Sequence, residues 1–120
     1  MPVVKVNTKF EPAVMKAYKK NETVMSLSLS SSDSAKTYWC ECDITVQPPL
    51  SLAHDKELNI GRTRIGILKP NGNLEKQIKL YTRPNNFPDN YNFNITTYVY
   101  DEDGAIAERW EHDQTIKCEG

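Results

Sequence analysis

Residues 91–100 read YNFNITTYVY, and the stretches DEDG (101–104) and AIAERWE (105–111) follow directly. In the first stretch, apolar or aromatic side chains recur at every second position, which is the periodicity of a β-strand. The acidic stretch ends in glycine, a residue that suits a tight turn, and a second alternating run begins at Ile106. The pattern predicts a long β-hairpin in the last third of the chain.

Alternation of the same kind predicts strands in most other parts of the chain. Prolines and clusters of turn residues separate the alternating runs. The predicted strands cover residues 3–10, 25–29, 37–46, 63–68 and 74–80; residues 13–18 are predicted as a brief edge strand or turn, and residues 50–58 as a loop or short edge strand.

The segment KPNGN (69–73) is a strong turn signal, because proline, asparagine and glycine each favour a turn position. The turn lies between two apolar runs that are both predicted to be strands. We therefore predict that residues 65–68 and 74–80 form a second hairpin.

The strand predicted over residues 37–46 has two different faces. One face carries Tyr38, Cys40, Cys42 and Ile44, and the other carries Trp39, Glu41, Asp43 and Thr45. In an alternative register, a bulge turns Trp39 into the core. Between two sheets, the predicted core contains Val6, Leu27, Ile44, Ile67, Ile78, Phe93, Ile95 and either Trp39 or Trp110.

Seven or eight short strands with alternating faces predict an all-β fold, an immunoglobulin-like antiparallel β-sandwich. The chain has 120 residues, which is the length of one such domain, and we expect residues 1–120 to form a single unit. Apolar residues make up 38% of the chain, enough for a two-layer core.

Charge and hydropathy exclude several classes of partner. The net charge is -1 and the lysines are scattered, whereas a nucleic-acid binder typically carries a basic stripe. No run of 18 apolar residues occurs, so we expect no membrane partner. The first residues lack the pattern of a signal peptide, which favours a cytoplasmic location. A domain cut from a longer protein would instead be exported or cell-surface.

The last hairpin resembles the final strands of immunoglobulin-like domains, and most closely those of the CARDB group, cell-adhesion-related domains of bacteria and archaea. That group shows a Pro-Gly-x-Tyr entry, an alternating strand, an Asp-rich turn and Ile-x-Glu. The matching positions here are Pro88, Tyr91, Asp101, Ile106 and Glu108. The runs FEP (10–12) and TVMSLSL (23–29) resemble its opening strands, whereas WCEC (39–42) and EHDQ (111–114) depart from the pattern. Tyr91 resembles the tyrosine that fixes the corner of many such sandwiches.

Soft metal ligands are present but poorly spaced. The sequence lacks the Cys-x-x-Cys and His-x-x-x-His spacings of zinc sites, and an Asp-Gly turn at residues 103–104 is explained by its backbone conformation without calcium. We therefore expect no metal and no cofactor. The candidate ligands for the alternative, a metal-binding or thiol-redox protein, are Cys40, Cys42, Cys118, His54 and His112. A disulfide from Cys118 to one of the other two cysteines is a further alternative.

No motif for catalysis occurs. The chain contains neither a Gly-x-Ser-x-Gly elbow nor a glycine-rich phosphate loop, and we expect no enzymatic activity. The sequence favours an interaction or structural module that binds a protein partner, or a second copy of itself, through loops or an edge strand. The candidate binding residues are Tyr98, Tyr100, Arg109, Trp110, Arg62 and Arg64. A carbohydrate-binding sandwich is a third alternative, with stacking platforms at Trp39, Tyr81 and Tyr98.

Overall fold

The computed structural model describes residues 4–11, 14–48, 50–82, 84 and 86–120, with the backbone alone at residues 10 and 11. These residues form nine β-strands and no helix. None of the described segments is therefore a helix that could cross a membrane. The strands are β1 (Val4–Glu11), β2 (Val14–Lys16), β3 (Asn21–Ser31), β4 (Tyr38–Val46), β5 (Leu50–Ser51), β6 (Ile60–Leu68), β7 (Asn73–Thr82), β8 (Asp89–Tyr100) and β9 (Ile106–Glu119).

The strands make two sheets. One has four strands in the order β1-β3-β7-β5, and the other has five in the order β2-β9-β8-β4-β6. Neighbouring strands are antiparallel except β2 and β9, which are parallel. The predicted all-β sandwich is confirmed, and the short strands β2 and β5 lie in the two segments for which the sequence left an edge strand or a loop open. Val3, Pro12 and Ala13, which bound two of the predicted segments, lie outside the described residues.

The hairpin predicted from the last third of the chain is confirmed. β8 and β9 pair from Asp89 opposite Cys118 to Tyr100 opposite Ile106. In the turn between them, Gly104 has a φ of 82°, which is why glycine suits this position. The carboxylate of Asp101 accepts hydrogen bonds from the backbone N–H groups of residues 103 and 105, at 2.9 and 3.0 Å. This acidic turn therefore has a structural explanation.

Alternation places the apolar side chains between the sheets, because burying them removes their surface from water. Tyr38, Cys40, Cys42 and Ile44 are buried, so the predicted inner face of β4 is confirmed. The other predicted core residues that are buried are Val6, Leu27, Ile78, Phe93 and Ile95. Ile67 is not a core residue, since its side chain is 54% exposed.

The error at Ile67 has a local cause, a β-bulge in β6. Cys40 pairs with Gly66 and Glu41 with Arg64, so one residue of β6, Ile65, has no partner of its own on β4. The extra residue reverses the alternation. Ile65 packs against the core, and Ile67 points to the outside.

The predicted hairpin between residues 65–68 and 74–80 is wrong, although the turn itself exists. Gly72 donates a backbone hydrogen bond of 2.8 Å to the Lys69 carbonyl, and Asn71 has a φ of 52°, as expected for a turn with proline before it. However, β6 pairs with β4 and β7 pairs with β3. The turn carries the chain from one sheet to the other.

Tyr91 fixes the loop that precedes β8. Its hydroxyl donates a hydrogen bond to the Phe87 carbonyl and accepts one of 2.9 Å from the Phe87 N–H. The ring is buried, so the two bonds tie the loop backbone to the core. This is the corner arrangement that the resemblance implied.

Candidate interaction surface

The outer side of the five-stranded sheet gathers aromatic side chains and arginines from four strands. Pairing sets Trp39 of β4 opposite Tyr100 of β8, and Tyr98 opposite Arg109 of β9. These side chains point outward because their neighbours along each strand, such as Cys40 and Val99, point into the core. We call this surface the aromatic–arginine face; it consists of Trp39, Arg62, Arg64, Ile67, Tyr98, Tyr100, Ile106 and Arg109.

The centre of the aromatic–arginine face is a contact between rings and a cation. The rings of Tyr98 and Tyr100 stack with centroids 6.3 Å apart and an interplanar angle of 28°. The guanidinium carbon of Arg62 lies 5.9 Å from the centroid of Tyr98, within the range of a cation–π interaction. Each ring therefore helps to fix the position of its neighbour.

A carboxylate holds Arg62 in place over Tyr98. The Nε and Nη2 atoms of Arg62 donate hydrogen bonds of 2.7 and 3.0 Å to the two carboxylate oxygens of Asp43. The hydrogen bond from Arg62 lowers the pKa of Asp43, so the carboxylate stays charged at neutral pH. The fork geometry orients the guanidinium before any partner arrives.

Further polar contacts hold two more residues of the surface, Trp39 and Arg109. The indole nitrogen of Trp39 donates a hydrogen bond of 2.8 Å to Glu41 Oε1. Hydrogen bonds to Tyr98 and to Glu111 raise the pKa of Arg109. Arg64 is exposed, and the described part of the chain provides no ion pair for it. Its charge is available to a partner.

The outer side of the four-stranded sheet is different in composition. There β3 presents Ser26, Ser28 and Ser30, flanked by Lys5, Asn7 and Lys9 of β1 and by Glu75, Gln77 and Lys79 of β7. Short hydroxyl and charged side chains interact well with water. Tyr81, at the end of β7, contacts His54 edge to face with centroids 5.9 Å apart. The two sides of the sandwich therefore differ, and the aromatic residues concentrate on one of them.

The structure brings together five of the predicted binding residues and separates the sixth. Tyr98, Tyr100, Arg109, Arg62 and Arg64 lie on the aromatic–arginine face. Trp110 points to the other side of the sheet, where it packs against the core and stacks on His112 with an interplanar angle of 4°. The alternative register for Trp39 is wrong: β4 keeps its alternation, and this indole is half-exposed on the outer side.

Sequence reasoning left Ile67 and Ile106 out of the predicted binding residues, and it named Trp39 only as a stacking platform of the carbohydrate-binding alternative. For Trp39, the signal was present, because it alternates with two cysteines that are apolar enough for the core. Ile67 required knowledge of the bulge. The platforms proposed for a carbohydrate site do not share a surface, since Trp39 and Tyr98 belong to the five-stranded sheet and Tyr81 to the four-stranded one.

Three solved structures that are similar to this chain have low sequence identity to it. The sporulation control protein Spo0M of Bacillus subtilis matches with a TM-score of 0.55 and 14% identity, over 100% of this chain and 51% of Spo0M. The alkylpurine DNA glycosylase AlkC of Pseudomonas fluorescens, bound to DNA containing an abasic site analogue, matches with a TM-score of 0.53 and 13% identity, over 98% and 31%. This chain thus spans about half of the first protein and about a third of the second.

The CARDB domain of a Pyrococcus furiosus protein, solved in complex with di-metal ions, matches with a TM-score of 0.54 and 14% identity. The match covers 96% of this chain and 86% of that one. The chain has a CARDB-like fold. No family model and no curated protein matches the sequence. The likeness therefore describes the CARDB-like sandwich and not its activity.

The three cysteines of this CARDB-like sandwich are free thiols in the core. Cys40 and Cys42 are fully buried, and Cys118 is 2% exposed. Burial raises the pKa of Cys40 to about 12 and that of Cys42 to about 11, and it also raises the pKa of Cys118. A buried, protonated thiol is a poor nucleophile and a poor metal ligand. Among the described residues, no group of three or more His, Cys, Asp or Glu side chains converges on one point.

Proposed function

We propose that this chain is a non-enzymatic interaction module that binds a protein partner through the aromatic–arginine face. The observation that carries the proposal is the concentration of Trp39, Tyr98, Tyr100 and three arginines on one outer side of a rigid sheet. Trp, Tyr and Arg are the residues that most often dominate binding energy at protein interfaces.

The aromatic–arginine face is already ordered in the unbound protein, which supports the proposal. Binding costs free energy when side chains must be fixed, and two of the side chains that matter here are already held. Asp43 holds the guanidinium of Arg62, and Glu41 holds the indole of Trp39. A partner would meet a surface that needs little rearrangement.

The charges of the surface indicate the chemistry of the partner. Asp43 already pairs with Arg62 and Glu111 with Arg109, whereas Arg64 has its charge exposed. The rings and the exposed isoleucines Ile67 and Ile106 form the apolar part. The complementary surface is apolar at its centre with a carboxylate placed to meet Arg64.

The test compares the proteins that bind to three forms of the chain and are recovered with them. The variant Tyr98→Ala/Tyr100→Ala removes the central rings, and Tyr81→Ala is the matched control on the opposite sheet. We expect the unmodified chain and the control to retain one partner that the double variant loses. Calorimetry with that purified partner should show binding weakened by about tenfold or more, because each truncated anchor typically costs over 1 kcal/mol. Equal binding by all three folded forms would refute the proposal.

A further inference from the structure

Strand β9 has one open edge. On one side it pairs with β8 from Ile106 to Cys118, with one irregularity at residue 107, and on the other side β2 pairs only with Lys117–Glu119. Within the described chain, no strand covers residues 106–114 on that second side. An uncovered edge of this length presents backbone donors and acceptors to any strand that fits.

The direction of those backbone groups follows from the contact with β2. The carbonyl of Glu119 accepts a hydrogen bond of 2.7 Å from the Ala17 N–H, so the backbone groups of Glu119 point away from β8. Backbone direction alternates along a strand, and the pairing of β8 with β9 has no irregularity from Glu108 to Cys118. The N–H and C=O groups of Arg109, Glu111 and Asp113 therefore point to the open edge.

We propose that this edge binds a second copy of the chain, in an antiparallel pair of β9 strands centred on Trp110. Charge selects the register. With Trp110 opposite its own copy, Arg109 lies opposite Glu111 of the second copy on the outer side, and this pair occurs twice, by symmetry. On the inner side Glu108, whose Oε2 accepts a hydrogen bond of 3.2 Å from the Val4 N–H, lies opposite His112 of the second copy.

Each neighbouring register sets like charges opposite each other at the two-fold axis. Centring the pair on Arg109 does this with two arginines, and centring it on Glu111 does it with two glutamates, although Arg109 then faces Asp113 of the second copy. Like charges in directly opposed positions destabilise a sheet, and the register on Trp110 has none. A shift by an odd number of residues would pair an outward side chain with an inward one. The register on Trp110 also extends over residues 106–114, the part of the edge that β2 leaves uncovered.

The pair would make one continuous ten-stranded sheet. The two-fold axis is perpendicular to the sheet, so both aromatic–arginine faces lie on the same side. Arg109 and Glu111 already form an ion pair of 2.8 Å within one chain, and both side chains are about half exposed. In the dimer, the two arginines and two glutamates alternate across the junction. This inference does not depend on the proposed partner of that face.

Sedimentation or light scattering of the purified chain tests the inference. The concentrations should run from about 10 µM to about 1 mM, the range in which a weak dimer is populated. We expect a concentration-dependent dimer. Glu111→Arg should raise its dissociation constant by about tenfold or more, because it sets like charges opposite each other twice. Arg109→Glu/Glu111→Arg, which exchanges the two charges, should restore the dimer. Glu75→Arg, the same charge change on the other sheet, should leave the dimer unaltered.

Backbone hydrogen exchange supplies a second readout. Exchange of the amide hydrogens of residues 109, 111 and 113 should slow as the concentration rises, because those groups enter the new ladder. A chain that remains a monomer at the highest concentration would overturn the inference. A dimer that Glu111→Arg leaves intact, or one without slower exchange at these amides, would overturn it as well.

Discussion

Ile65 and Ile67 lie on opposite sides of β6 although a single residue separates them. The residue between them, Gly66, has a φ of 138° and stands opposite Cys40 at the bulge. That conformation is accessible to glycine and strained for other residues. The bulge places Ile67 beside Trp39 on the aromatic–arginine face, so Gly66 contributes to the candidate surface without being part of it.

Replacing Gly66 with alanine should lower the free energy of unfolding by about 1–3 kcal/mol, the cost of an unfavourable backbone conformation. The added methyl group would meet the Leu74 methyl carbons at 3.7 and 3.8 Å, which is ordinary contact, so the cost comes from the backbone. Urea unfolding measures it. Gly61→Ala is the control: its methyl group comes within 2.9 Å of a Leu52 side-chain carbon that can move aside. A larger cost at Gly61 would contradict this account.

Truncation of two isoleucines to alanine should lower the free energy of unfolding by very different amounts. Ile95 is fully buried, and Ile95→Ala should cost about 2–5 kcal/mol through lost burial and a residual cavity. Ile67 is 54% exposed, and Ile67→Ala should change stability by about 0.5 kcal/mol or less. Chemical denaturation of both variants checks the pair of values. Similar losses would mean that Ile67 belongs to the core after all.

Removing the hydroxyl of Tyr91 should loosen the loop before β8. Tyr91→Phe keeps the buried ring and deletes both hydrogen bonds to Phe87, so we expect a loss of about 1 kcal/mol and faster amide exchange at Phe87. Tyr81→Phe is the matched control, because its hydroxyl has no hydrogen bond to the described residues. If exchange at Phe87 is unchanged, the corner does not fix the loop.

The buried thiols should be unreactive in the folded state and should make the protein sensitive to alkali. Folding raises the cysteine pKa values, so the unfolded chain loses these protons at a lower pH than the folded chain. Stability is therefore intact below about pH 9 and decreases as the pH rises towards 11 and 12. Thermal melting against pH measures the decrease, and Cys40→Ala/Cys42→Ala should reduce its slope. A thiol reagent should label three thiols only after unfolding.

Local alternation was enough to predict the sandwich, the last hairpin and both faces of β4, because strand periodicity is visible in the sequence. It was not enough for the partners of β6 and β7. The turn at residues 69–73 shows that the chain reverses, but turn residues do not determine whether the next strand joins the same sheet. The parallel pairing of β2 with β9 depends on contacts across almost the whole chain, which no local pattern contains.

The candidate surface was predictable in part for the same reason. Tyr98 and Tyr100 are two residues apart on β8 and alternate with buried residues, so they lie on the same outer face. Arg62 and Arg64 are likewise two residues apart on β6 and lie on one face. Trp110 lies on the other side of the sheet because β9 packs apolar residues against the core on the side where Trp110 points. The pairing between strands that brings Arg62 over Tyr98 could not be predicted from a single sequence.

The position of β9 between β2 and β8 has a consequence for biosynthesis. Met15 can pair with Cys118 only after β9 has been synthesised, and β4 can pair with β8 only after β8 has been synthesised. Contacts so distant in sequence make folding slow, because a large loop must close before they form. The five-stranded sheet therefore cannot be completed until residues 89–119 have left the ribosome, and the strands made before them must remain unaggregated until then.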